Sequence, residues 1–170
     1  MERAEAVLGE LGEDDVAEKH DTEAEWGFSF TGVLAQHPET FKIWWAEAGQ
    51  VFAGGALDRG FKQLLATVVA HGRGAAVCIA WHTTSVAIGD GDPGRFAVAS
   101  DFDDRKEELP DDERVGIEFA RKSVESPAEV TDGDVARHRE HGYDDADIVG
   151  ITTTACTAAK VATLALTLDI

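Results

Sequence analysis

The stretch LDRGFKQLLATVVAHGRGAAVCIAWHTTSVAIG, Leu57 to Gly89, decides the fold. Phe61, Leu64, Leu65, Val68 and Val69 recur at the three- and four-residue spacing of one helix face. Asp58 stands where a helix N-cap belongs. Gly72-Arg73-Gly74 then supplies a short turn, and Gly74 and Ala75 mark the start of a second helix. In that helix Cys78 falls in the first turn or so. His82 lies four residues on and shares its face. A thiol near a helix N-terminus feels the positive end of the dipole, and an imidazole one turn away can take its proton. Both effects favour the thiolate, so a lowered thiol pKa is expected. A blander reading stays open. A free cysteine often behaves as a small buried hydrophobe, and a histidine on a helix face is often only a hydrogen-bonding residue.

Working outward, Pro38 to Ala53 spells a helix with Phe41, Ile43, Trp44, Trp45, Val51 and Phe52, closed by Gly54-Gly55. It serves as a core helix, since aromatics dominate cores, or as a wall over Cys78 and His82. Trp81 serves as core or pocket wall in the same way. Trp26, Phe28 and Phe30 alternate, but Gly27 weakens a strand, and a turn into a helix fits better, with Ser29 or Thr31 as cap. Residues 1–24 form a polar, helix-prone lead whose stripe of Ala4, Val7, Leu8 and Leu11 packs on the core or a neighbouring subunit, or frays.

Downstream, Gly89 to Gly94 is a loop, and Asp90 and Asp92 lack the further ligands of a calcium loop. A short helix is expected at Arg95 to Ser100, then an acidic loop at Asp101 to Asp112. Pro110 opens a helix carrying Val115, Ile117, Phe119, Ala120 and Val124. Thr131 caps the next, where His138 and His141 read as a solvated face because a metal pair would need a third ligand. The last helix, about Ala146 to Leu168, is apolar over much of its girth and must be buried in the core or a subunit interface, with Cys156 either in the core or close enough to resolve an oxidised Cys78, for which the two Cα atoms must lie within about 7 Å.

The totals agree with one helical domain, residues 1–170. Strand signals are scarce, and the periodic segments number about seven or eight. With 44% hydrophobic residues over 170 positions, a sizeable core is available. Two cysteines make no disulfide framework, no apolar run approaches a membrane span, and the start MERAEAVLGELGEDD is too charged for a secretory signal. A cytoplasmic setting follows as the expectation. The formal net charge of -18 disfavours nucleic acid and anionic membranes as partners. Its dispersal also fits a halophilic source, because molar salt screens self-repulsion.

The central stretch resembles the core motif of the alkylhydroperoxidase D and carboxymuconolactone decarboxylase family. In the peroxidase branch that motif runs Glu, eleven residues, Cys-x-x-Cys, three residues, His. Cys78 matches the second cysteine and His82 the histidine, while Gln63 replaces the glutamate, Ala75 the first cysteine and Val77 a relay histidine. Glu113-Arg114 with Phe119-Ala120, Val130-Thr131-Asp132, and Gly142 to Val149 resemble the family's later segments. The resemblance implies an all-α fold, a homo-oligomer (trimer or hexamer) and candidate catalytic residues Cys78, His82 and Gln63, with no cofactor and no metal.

The departures remove the local disulfide and a carboxylate base. What remains is a one-cysteine cycle, a peroxidase-type oxidoreductase (peroxiredoxin activity) in which Cys78 is oxidised by a hydroperoxide and reduced by an external thiol. One alternative is a decarboxylase-like acid–base enzyme using His82, with Arg59 or Arg73 to hold an anion. Another is a non-catalytic oligomer that keeps only the fold.

Overall fold

The computed structural model describes residues 30–87 and 92–169. The lead at 1–24, Trp26, Phe28 and the loop residues Gly89 to Gly91 lie outside them. A helical segment at 30–34 is followed by eight α-helices. These are α1 (Pro38–Ala53), α2 (Arg59–Arg73), α3 (Ala76–Ala87), α4 (Pro93–Ala99), α5 (Phe102–Arg105), α6 (Asp111–Glu125), α7 (Asp132–Glu140) and α8 (Asp145–Thr167). Short 3-10 turns occupy Lys106–Glu108 and Pro127–Glu129. Among the described residues the fold is all-α, as expected.

The middle of the molecule is α2. Every residue from Phe61 to Ala70 is buried, which requires neighbours on all sides, and α1, α3, α4, α6 and α8 supply them. Its ends are written locally. Asp58 Oδ1 accepts from the Phe61 amide at 2.8 Å. Gly74, at φ 69°, closes the other end, where its amide and that of Ala75 bond back to the His71 and Ala70 carbonyls. The turn is therefore shorter than Gly72-Arg73-Gly74 suggests, because α2 continues through Arg73.

Two apolar clusters share α2. One joins Phe61, Leu64 and Leu65 to Phe96, Phe102, Ile117 and Ile151. The other gathers Phe30, Leu34, Phe41, Ala70, Cys78 and Ala162. The reciprocal capping boxes at Thr131/Asp134 and Asp144/Asp147 start α7 and α8. Lys122 bonds both carboxylate oxygens of Asp134 and, with Thr131, holds that carboxyl far below its usual range.

Four expectations are corrected. Asp101 to Asp112 is not open loop: buried Phe102 and Leu109 anchor it as α5 and a 3-10 turn. His138 does not lie on a solvated face. It is buried, its Nδ1 and Nε2 meet the Asp134 and Val115 carbonyls at 2.7 and 3.1 Å, and its ring lies tilted against Phe119 at 4.3 Å, so neither nitrogen is open to a metal shared with His141. Cys156 is exposed, because the buried face of α8 runs through Ile151, Ala155, Ala158 and Ala162. Finally, α8 is long and apolar enough to cross a membrane by length and composition. In this fold it packs against α2, α6, α1 and α3, which explains the small residues on its inner face.

Candidate active site

Gln63 and His82 meet where α2 and α3 pack, and Cys78 lies one turn before His82 on α3. Gln63 is delivered by the wholly buried centre of α2, and Cys78 and His82 by one face of α3. His82 Nδ1 lies 2.7 Å from Gln63 Oε1. An amide oxygen only accepts, so Nδ1 carries the proton and Nε2 keeps its lone pair. Burial lowers the His82 pKa from 6.5 to about 4. The imidazole is therefore neutral near pH 7, fixed in one tautomer by Gln63 and flanked by the Phe52 ring at 5.2 Å.

Cys78 is the third residue of α3 and one helical turn before His82. The expected thiolate is overturned. The sulfur belongs to the apolar cluster of Phe30, Leu34, Phe41 and Ala162, and burial raises its pKa from 9.0 to about 11. That opposes ionisation by about 3 kcal/mol. A helix N-terminus offers roughly 0.3–1 kcal/mol to a charge, and a neutral imidazole offers no counter-charge. Desolvation wins. Ala75 and Val77, both buried, fill the positions of the absent cysteine and relay histidine.

Other candidates fall elsewhere. Cys156 lines an open groove of about 360 Å³ with Arg73, Ser123, Lys160 and Thr163, and Cys78 and His82 are not part of it. Relative to the Ala162 that faces the Cys78 cluster, it is six residues and roughly 9 Å back along α8, on another face. Arg73 bonds Thr163 Oγ1, and Arg59 is exposed at the start of α2. Two features were not foreseen. Lys62, beside Gln63, is almost wholly buried and donates to the Gly54 carbonyl. Glu47 of α1 bonds Thr157 and Lys160 of α8. Neither contact has a sequence signal, since one ties Lys62 to the turn that ends α1 and the other joins side chains of different helices.

No protein-family model matches the sequence, and no curated protein does either. Among solved structures, the fold matches an uncharacterized peroxidase-related protein from Silicibacter sp. TM1040. That match has a TM-score of 0.76 and 21% identity, over 92% of this chain and 84% of the other. It also matches an uncharacterized peroxidase-related protein with an alkylhydroperoxidase AhpD core from Ralstonia eutropha JMP134. There the TM-score is 0.73 and the identity 22%, over 79% of this chain and 71% of the other. The chain thus has the all-helical fold of peroxidase-related, alkylhydroperoxidase D-like proteins. The resemblance first visible in the motif from Gln63 to His82 extends to the architecture.

Proposed function

We propose that the chain is a one-cysteine, thiol-dependent peroxidase-type oxidoreductase. Cys78 is the nucleophile, His82 its proton acceptor, and Gln63 the residue that positions His82. The observation that carries this reading is the buried Gln63–His82 hydrogen bond, which leaves a neutral imidazole with a free lone pair one turn from a thiol. Likeness to peroxidase-related folds adds weight.

A thiol pushed up to about 11 is a poor resting nucleophile, so its proton must leave during attack. The Cys78 sulfur attacks the distal oxygen of a hydroperoxide, and the O–O bond breaks. The thiol proton passes through His82 Nε2 to the leaving alkoxide, giving an alcohol and a Cys78 sulfenic acid. An external thiol then displaces water to form a mixed disulfide, and a second thiol frees Cys78 and leaves as a disulfide. Cys156, being exposed on another face of α8, is not the resolving partner in this cycle.

A second reading has one observation in its favour: the thiol is disfavoured as an anion while His82 is held neutral and oriented. His82 alone would then move a proton on a small substrate, as in decarboxylase-like acid–base chemistry. Hydroperoxide consumption with a small-thiol reductant separates the two. Cys78→Ala should abolish turnover and His82→Ala should lower it by roughly 10²–10⁴. No consumption by the native chain overturns the peroxidase reading, and turnover that survives Cys78→Ala but not His82→Ala selects the second. The proposal includes a cytoplasmic setting and assembly as a trimer or hexamer; the exposed apolar Ile43, Val149 and Leu166 favour assembly, and light scattering tests it.

A further inference from the structure

We propose that α1 is a lid over Cys78 and His82, pivoting at Gly54-Gly55 and held shut by a latch from Glu47 to α8. The proposal rests on reading Cys78 as the reactive group, because a hydroperoxide can meet this sulfur only if its cover moves.

The cover is α1. Phe41 enters the cluster that contains Cys78, Trp44 and Trp45 pack against that cluster, and Phe52 lies on the His82 ring. Yet α1 is loosely held. Of its sixteen residues only Phe41 is fully buried, whereas α2 buries ten in succession. Elements that bury little apolar surface open at lower free energy than the core.

The pivot is built at its C-terminal end. Gly55 sits at φ +81°, and a Cβ on Gly54 would come within 2.7 Å of the Gln50 carbonyl oxygen, so both positions require glycine. The buried Lys62 ammonium donates to the Gly54 carbonyl, which fixes this end to α2 while the rest of the helix swings. The latch lies midway. Glu47 accepts from the buried Thr157 hydroxyl at 3.1 Å and pairs with Lys160, both on α8. Opening α1 breaks this tie and leaves α2, α3 and α8 packed together.

The test follows iodoacetamide alkylation of Cys78 by intact mass, in a Cys156→Ser background that removes the exposed thiol. Low urea is the variable. Opening of one helix exposes little surface, so labelling should be nearly flat in urea below the unfolding transition. Glu47→Gln and Lys160→Met should each speed labelling roughly three- to fivefold, without adding in the double variant. Arg121→Gln breaks the pair to Asp103, which lies away from α1, and should leave the rate unchanged. Labelling that climbs with the full unfolding slope, equal rates in the latch variants and the parent, or acceleration by Arg121→Gln would each overturn the lid. No peroxide enters this assay. A chain inactive toward hydroperoxides would therefore sink the peroxidase reading and leave the labelling result standing.

Discussion

Gln63→Glu puts a carboxylate where the amide Oε1 now stands, 2.7 Å from His82 Nδ1. Two unit charges about 4 Å apart in an effective dielectric near 20 attract by about 4 kcal/mol. At about 1.4 kcal/mol per pH unit, that lifts His82 by roughly three units, from about 4 to near 7. Burying the new carboxylate opposes part of this gain and makes the variant less stable near pH 7, because ion pairs taken out of water recover their hydration incompletely. The assay is the NMR titration of the His82 ring, assigned by loss of its signal in His82→Gln. The pH dependence of Cys78 alkylation is followed in parallel. The native ring should titrate near pH 4 and the variant ring higher by up to about three units. If both titrate together, or if the native ring titrates near its ordinary 6.5, the buried contact between α2 and α3 does not exist as described.

Three further outcomes are expected. Between pH 6.5 and 4 the unfolded chain binds a proton at His82 that the folded chain refuses, so stability falls as pH falls across that window. The loss is about 3 kcal/mol, complete below pH 4, and urea midpoints for the parent and His82→Gln should converge as it is lost; parallel losses in the two would refute the assignment. Gly116→Ala should destabilise the fold by about 1–3 kcal/mol despite alanine's better helix propensity, because its Cβ would lie 2.7 Å from Phe61 Cζ and 3.0 Å from the Tyr143 hydroxyl; a raised Tm would contradict this packing. Dropping salt from about 1 M to about 10 mM lengthens the screening distance roughly tenfold, so a chain of net charge -18 should melt at lower temperature, and an unchanged Tm would argue against a salt-adapted surface.

Much of this architecture was legible because the deciding interactions are short in sequence. The caps at Asp58, Thr131 and Asp144 each bond an amide three residues away. The apolar spacing of Phe61 to Val69 dictates a helix whatever packs on it. Gln63, Cys78 and His82 were visible together as a motif, and the hydrogen bond that His82 Nδ1 donates to Gln63 Oε1 gives geometry to two of them.

What tertiary structure alone decided is the environment of each group. Cys78 looks activated when only its helix and its neighbour His82 are considered, yet Phe30, Phe41 and Ala162, brought from distant parts of the chain, turn its surroundings into hydrocarbon. His138 looks solvated until Val115 and Phe119 close over it, and Cys156 looks buried until the register of α8 is set by its neighbours. Helix formation depends on hydrogen bonds and spacings within one or two turns, which a sequence carries directly. Ionisation and exposure depend on how much water the rest of the fold removes, and that quantity exists only once the helices have packed.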